Sequence, residues 1–156
     1  MAERRLDLRF SSLSDACADV RALREGGYEL TGNWSLAQIL DHLNRSLAMT
    51  FDGADFGPPA VLRPMIRMIM MPMVRRGAPI KMRATAPGPV KPSSVDELDE
   101  QACADRFYEL ADRMMAADAS FVQPHPMMGK LSREQWLAMQ TWHCAHHLSF
   151  AVPKAS

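Results

Sequence analysis

Three of the five histidines fall in one short window near the end of the chain, Trp142-His143-Cys144-Ala145-His146-His147. On a helix, residues four apart lie one turn apart on the same face, so His143 and His147 can direct two imidazoles at one point. Neutral imidazole binds zinc, nickel, copper and iron, which makes such a pair a recurrent helical metal site. Spacing alone does not decide between His147 and His146, because His143 and His146 form an i, i+3 pair.

A metal site needs at least a third ligand, and His42 is the candidate from a distant segment. The apolar residues of 36–47 recur at helical spacing, and His42 lies on the flank of this apolar stripe, in line with Ser46. A ligand at that position would point into a cleft at the edge of a helical bundle. The alternative is that these histidines are structural residues bonded to carbonyls or carboxylates, and spacing leaves both interpretations open.

Other side chains could complete the chemistry. His125 stands between Pro124 and Pro126 in a loop, where it is either a proton donor or lid residue of the same cleft or an ordinary loop histidine. Cys144 is turned away from His143 on a helix, which indicates a small buried residue. Asp41 is adjacent to His42 and so points about 100° away from it on a helix. Asp52, Asp55 and Glu134 are conceivable general bases, and the sequence singles out none of the three.

The elements that must position these residues are predicted to be helices. Three capping boxes, Ser35-Leu-Ala-Gln38, Ser94-Val-Asp-Glu97 and Ser132-Arg-Glu-Gln135, provide partners for the free amides of a helix start. They predict helices over residues 35–51, 94–117 and 132–150. A further helix is predicted over residues 12–25, ended by Gly26-Gly27 and followed by a short extended segment at Tyr28 and Leu30.

Residues 57–93 contain eight of the eleven prolines. Because proline lacks the amide hydrogen and clashes with the preceding turn, we expect one broken helix or two short ones over residues 60–74. An ordered loop over residues 77–93 should then wrap the bundle. The sequence therefore predicts an all-α fold, a four-helix bundle with an irregular proline-rich crossover between helices 2 and 3, in a single domain spanning residues 1–156.

Composition restricts the class of protein. With 156 residues, 47% apolar and 23% charged, the chain has the balance of one soluble globular domain. Eighteen basic residues equal eighteen acidic ones, so net charge gives no case for a nucleic-acid partner. Three scattered cysteines and no hydrophobic signal core favour a cytoplasmic protein. The most apolar run, residues 65–74, is too short and too interrupted for stable insertion into a membrane.

Charge is unevenly distributed along the chain, because residues 56–95 contain no acid and residues 96–118 are acidic. The two segments could neutralise each other, or the first could form an anion- or lipid-facing patch. Peripheral membrane contact through residues 60–76 is disfavoured if the prolines break the amphipathic helix that such contact uses. The first segment contains seven basic residues: Arg63, Arg67, Arg75, Arg76, Lys81, Arg83 and Lys91.

Two segments resemble the DinB/YfiT-like superfamily of metal-binding four-helix bundles. Asn33-Trp34-Ser35 followed by Ile39-Leu40-Asp41-His42-Leu43 is similar to its second helix, and His143-Cys-Ala-His146-His147 is similar to the H-x-x-H-H pattern of its last helix. Residues 124–150 resemble one branch more closely, a family of unknown function. The resemblance implies a divalent metal, zinc or nickel first, bound by His42, His143 and His147, with His146 close by or facing elsewhere.

Better-understood members of that superfamily include thiol-dependent transferases and isomerases and a metal hydrolase. Three neutral histidines would leave a coordination position open, as in catalytic sites. We therefore expect a metal-dependent hydrolase or a thiol-dependent transferase that acts on a small molecule. The transferase would use a low-molecular-weight thiol, whose negative charge Arg75, Arg76 and Lys81 could bind. The alternative is a non-catalytic binding or sensor protein, or a homodimer, in which the metal site is empty or incidental.

Overall fold

A computed structural model of the chain describes residues 2–77 and 88–154. Over these ranges the protein is mostly helical, with one small two-stranded sheet. The α-helices and strands in chain order are α1 Leu13–Gly26, β1 Tyr28–Leu30, α2 Leu36–Asp52, α3 Arg63–Arg76, α4 Glu100–Met115, α5 Arg133–Leu148 and β2 Ala151–Pro153, and short 3-10 helices cover Ala60–Leu62, Gly88–Val90 and Val95–Glu97.

The helices that carry the clustered histidines begin where their capping boxes predict. At the start of α2, the Ser35 hydroxyl accepts from the Gln38 amide, and the Gln38 side chain accepts from the Ser35 amide, both at 3.1 Å. The same reciprocal pair, Ser132 and Gln135, begins α5. These two predicted helix starts are confirmed, as is the helix that begins after Ser12.

The prediction for the capping box at Ser94 was wrong. The box at Ser94 opens only the 3-10 turn Val95–Glu97, because Leu98 then adopts an extended conformation (φ −110°, ψ 132°). The long helix α4 has its N-terminal cap at Asp99, five residues after the predicted cap at Ser94, and the Asp99 carboxylate accepts from the Ala102 amide at 2.7 Å.

The predicted break in the proline-rich helix was also wrong. Helix α3 runs without interruption from Arg63 to Arg76 and ends at Gly77, which adopts the left-handed conformation (φ 72°). Pro64 lies in the first turn, where no amide partner is needed. Pro72 removes one helical bond, to the carbonyl of Met68, on an exposed side of the helix where water can replace it.

Most of the proline-rich crossover that was predicted to wrap the bundle, including Lys81, lies outside the described residues. Its described end is the turn Gly88–Val90, which contacts α2. Val90 is buried there. This contact brings a backbone segment from the crossover against the helix that carries His42.

Four helices surround the main core. Helix α1 contacts α4 and α5, and α2 contacts the same two helices, so the four form a closed ring. Helix α3 lies outside this ring and packs on α5, where Met71 and Val74 contact a second apolar cluster. The helical fold is thus confirmed, whereas its assignment to the DinB/YfiT type stays a prediction. The ring encloses Leu13, Val20, Leu23, Leu40, Leu43, Leu47, Phe107, Leu110 and Leu148.

The two short strands tie the end of α5 to the connection between α1 and α2. They pair antiparallel, with Tyr28 opposite Pro153 and Leu30 opposite Ala151. The Thr31 amide also donates to the Phe150 carbonyl at 2.9 Å. This pairing, which the sequence did not predict, fixes the last turn of α5 beside the start of α2.

Within the described ranges, none of the helices has the length and apolar character that crossing a bilayer requires.

Candidate metal centre

Three imidazoles converge between α2 and α5. His42 comes from α2, and His143 and His147 come from successive turns of α5. One ring nitrogen of each lies within 4.8 Å of the corresponding atoms of the other two. The ring centroids are 4.9 Å apart for His42 and His143, 4.3 Å for His42 and His147, and 4.6 Å for the pair on α5.

The orientation of the His42 ring is fixed by the crossover. Its Nδ1 lies 2.5 Å from the carbonyl oxygen of Val90. Because a carbonyl only accepts, the proton must be on Nδ1, where it is donated to Val90. The Nε2 atom of His42 therefore carries a lone pair and faces the cluster.

The proton position of His143 follows from a buried polar chain. The Gln140 amide nitrogen donates to the Ser46 carbonyl at 2.9 Å and to the Thr50 hydroxyl at 3.2 Å. Its oxygen therefore accepts the only hydroxyl proton of Ser46, at 3.0 Å. With that proton used, the Ser46 oxygen accepts from Nδ1 of His143 at 3.2 Å. Nε2 of His143 consequently carries a lone pair as well.

The two lone-pair nitrogens, Nε2 of His42 and Nε2 of His143, lie 3.0 Å apart. Two acceptors at that separation repel each other unless a cation lies between them. Two imidazole nitrogens on one tetrahedral zinc would be separated by about 3.3 Å, given zinc–nitrogen bonds of about 2.0–2.1 Å. This pair of nitrogens therefore fits a divalent cation with a displacement of a few tenths of an ångström, and His147 offers a third ring nitrogen within 4.8 Å.

All three imidazoles are held in the neutral form that binds metals. Burial lowers the pKa of His42. The pKa values of His143 and His147 lie well below the ordinary value, because burial is reinforced by the neighbouring imidazoles. Protons therefore compete weakly with a cation for these ring nitrogens.

An aromatic side chain forms one wall of the cluster. The Trp34 ring is stacked on His147, with centroids 5.6 Å apart and an angle of 15° between the planes, and lies 5.2 Å from the ring of His42. His143 and His147 are half-buried, so part of each ring remains open to solvent. The cluster therefore lies at the edge of the helical core, beside the apolar ring of Trp34.

His146 is adjacent to this cluster and has a different partner. The Arg4 guanidinium, which only donates, lies 3.1 Å from Nδ1 of His146. Burial, and secondarily the positive charge of Arg4, lowers the pKa of His146 to about 4. The structure thus groups His147, and not His146, with His42 and His143.

His125 lies outside the cluster. Its Nδ1 accepts from the amides of Met127 and Met128 at 3.1 and 3.2 Å, so the side chain holds a turn. Its ring packs on Trp136, two helical turns before His143 on α5. Burial lowers the pKa of His125 to about 4.

The carboxylates considered as general bases either bond to other groups or are exposed. Asp41 accepts from the Ser93 amide at 2.9 Å and from Arg45 at 3.0 Å. Asp52, Asp55 and Glu134 are exposed. Within the described residues, no carboxylate hydrogen-bonds to a histidine of the cluster. Cys144 is buried as expected, and burial raises the pKa of its thiol.

Of the residues predicted to bind an anion, the two that the structure describes lie away from the three imidazoles. Arg75 and Arg76 are exposed at the end of α3. Arg75 lines a cleft of about 430 Å³ together with Glu134 and Thr141. Thr141 precedes His143 by two residues and so lies on the opposite face of α5. This cleft is therefore separated from the histidines by the helix.

Sequence reasoning missed the groups that orient the imidazoles. A signal existed for two of them, because Ser46 follows His42 by four residues and Gln140 precedes His143 by three, so each lies on the same helix face as its histidine. No signal pointed to the Val90 carbonyl or to Arg4, since both come from segments distant in sequence.

Comparison with known proteins identifies a family. A family model described as "Protein of unknown function (DUF1569)" matches residues 2–154. No curated protein and no solved structure matches the chain.

Proposed function

The chain belongs to the DUF1569 family, whose function is unknown, and on this premise we propose that it is a metal-dependent enzyme acting on a small molecule. One divalent cation, zinc or nickel, binds to His42, His143 and His147. The observation that carries the proposal is the 3.0 Å separation of two ring nitrogens whose lone pairs both face the same space.

Uncharged partners support two of the three imidazoles, those of His42 and His143. The Val90 carbonyl and the Ser46 hydroxyl each accept from the ring nitrogen remote from the cluster. No described carboxylate hydrogen-bonds to any of the three imidazoles. A cation held in this way supplies an open coordination position and a Lewis acid that lowers the pKa of a bound water or thiol. Trp34 restricts access on one side and orients an apolar part of the substrate.

Two reactions are compatible with this site, and we place hydrolysis first. A hydrolase needs only water in addition to the cation. The thiol-dependent transferase also needs a group that binds the anionic thiol, and the predicted residues Arg75 and Arg76 lie away from the histidines. Membership of the DinB/YfiT superfamily, a homodimer and a cytoplasmic location are further parts of this proposal.

Metal content tests the site directly. The full chain is loaded with zinc or nickel, desalted and subjected to elemental analysis. We expect one equivalent of metal in the wild type, retention in His125→Ala, whose side chain lies outside the cluster, and loss in His143→Ala. Thermal melts of both variants verify that they are folded. Equal metal content in wild type and folded His143→Ala would contradict the proposal.

Turnover tests the reaction class. Model esters and amides are assayed with and without added glutathione, before and after removal of the metal by a chelator. Hydrolysis that requires the metal and no thiol supports the first reaction. Conjugation only with thiol would assign the transferase instead. Stoichiometric metal without turnover of either kind would favour the non-catalytic binding or sensor protein.

A further inference from the structure

Helix α3 is apolar on two opposite sides. Its inner side packs on α5 through Met71 and Val74. Its other side carries six of the nine exposed large hydrophobic side chains of the described residues. We call this set, which extends into the 3-10 turn Ala60–Leu62, the outer face of α3: Val61, Leu62, Met65, Met68, Ile69 and Met73.

The outer face of α3 is continuous. At about 100° per residue, the members that lie within α3 fall in an arc of about 140°. Their exposure is large, 71% for Met68 and 58% for Ile69. Contiguous apolar patches of this kind are uncommon on soluble monomers and mark sites of contact with a protein or a membrane.

Positive charge borders this face. Arg75 and Arg76 are exposed at its end. Arg63 and Arg67 lie on the other side of α3, where their guanidinium groups donate to the carbonyls of Pro58 and Lys130. No acidic residue occurs in the sequence between Asp55 and Asp96. None of the described carboxylates forms an ion pair with Arg75 or Arg76. The outer face of α3 is therefore an apolar surface with uncompensated positive charge at its border.

This charge pattern distinguishes between two possible occupants of the outer face of α3, a second copy of the chain and a lipid surface. Pairing with the same face of a second copy would bring two sets of arginines together with no carboxylate to neutralise them. An anionic lipid surface matches both the positive charge and the apolar side chains. Its phosphates attract the arginines, and the boundary of its acyl chains receives the apolar side chains.

We propose that the outer face of α3 docks this protein onto the surface of an anionic lipid membrane. The helix has 14 residues, or about 21 Å, so it lies in the plane of the interface and does not cross it. The prolines, which argued against such binding at the level of sequence, leave α3 uninterrupted. This inference is independent of the metal centre.

Flotation with vesicles tests the proposal. The full chain is mixed with vesicles of phosphatidylcholine alone, or of phosphatidylcholine with phosphatidylglycerol, at low and high salt. We expect flotation with the anionic vesicles only, and weaker flotation at high salt because the attraction to phosphates is screened.

Two matched pairs of variants assign the contact. Val61→Ser removes an apolar side chain of the outer face that is 82% exposed, and Val95→Ser removes the same side chain, 50% exposed, elsewhere on the surface. Arg76→Gln and Arg106→Gln make the same charge change, one beside the outer face of α3 and one in α4. We expect Arg76→Gln to weaken partition about fivefold and Val61→Ser to weaken it severalfold, with both controls unchanged. All four side chains are exposed, and thermal melts verify folding.

Three outcomes would overturn the proposal. The first is the absence of flotation with anionic vesicles, and the second is equal flotation with neutral ones. The third is an equal loss in both members of either matched pair. Sedimentation measurements complete the test: a dimer that Ile69→Ser dissociates, without vesicle binding by the wild type, would assign the outer face of α3 to a second copy.

Discussion

At the scale of single residues, the metal centre depends on which ring nitrogen carries a proton. Neither His42 nor His143 has a carboxylate partner among the described residues. Instead, the Val90 carbonyl and the Ser46 hydroxyl fix the proton on Nδ1 and leave Nε2 free. Because such partners orient the ligand and determine its basicity, they affect the affinity for metal without touching the ion.

The Ser46 hydroxyl can be tested in this role. Ser46→Ala removes the acceptor of the His143 proton and leaves the Gln140 oxygen without its donor. We expect the affinity for zinc, measured by competition with a chelator, to fall about 10- to 100-fold. Ser14→Ala, an exposed position on α1, serves as the control. Unchanged affinity in Ser46→Ala would mean that the hydroxyl does not orient the ligand.

A buried neutral histidine outside the cluster predicts a dependence of stability on pH. The pKa of His125 is about 4 in the folded protein and 6.5 as its ordinary value. Between these values the unfolded chain binds more protons, so the stability contribution present at neutral pH is lost as pH falls from about 6.5 towards 4. At about pH 5 the loss from this residue is about 2 kcal/mol.

The variant His125→Asn isolates this effect, because an amide oxygen can accept from the amides of Met127 and Met128 as Nδ1 does. Free energies of unfolding in urea, measured with a chelator present at about pH 7 and about pH 5, should fall less in the variant than in the wild type. The clustered histidines contribute to the pH dependence of stability in both proteins. The test is therefore the difference between the pH dependence of the wild type and that of the variant. Parallel pH dependences would contradict the prediction.

At the scale of elements, capping sequences predicted some helix starts and not others. The boxes at Ser35 and Ser132 are followed directly by residues that continue the helix. The box at Ser94 is followed by Leu98 in an extended conformation, and the long helix α4 begins only after Asp99. A reciprocal bond between residues three apart fits a single 3-10 turn as well as an α-helix, so the motif alone cannot give the length of the element.

The two caps of this region should therefore contribute unequally to stability. Asp99→Ala removes the acceptor of one of the free amides at the start of α4, that of Ala102, in a helix of 16 residues in the core ring. We expect it to lower the free energy of unfolding by about 1 kcal/mol, measured in urea, and Ser94→Ala to lower it less. If Ser94→Ala were the more destabilising of the two, the start of α4 would be wrongly placed.

At the scale of the whole molecule, the sequence was sufficient for the helical class of the fold and for naming the three histidines that the structure brings together. Periodicity places His143 and His147 on one face of α5 but leaves His146 as an alternative, and the position of His42 beside the apolar stripe of α2 made it the third candidate. Resemblance to the DinB/YfiT-like superfamily then favoured His147 over His146. The sequence was insufficient for the long-range contacts that shape the site. The pairing of Leu30 with Ala151 and the bond from His42 to Val90 depend on segments tens of residues apart, which local patterns do not encode.

The same long-range geometry predicts that metal binding stabilises the fold. Residues 42 and 143 are 101 positions apart, so a cation that binds both binds only the folded chain. At a metal concentration about 100 times Kd, the added stability is about 2.7 kcal/mol. For a chain of this size that raises Tm by about 5–10 °C.

Scanning calorimetry with and without zinc measures this shift, each variant being compared with its own metal-free form. We expect the shift to disappear in His42→Ala and His147→Ala and to persist in His146→Ala, because His146 is bonded to Arg4 and lies outside the group of three. A shift that His146→Ala abolishes and His147→Ala retains would exchange the roles of the two histidines. The ligand on the last turn of α5 would then be the one that Arg4 contacts.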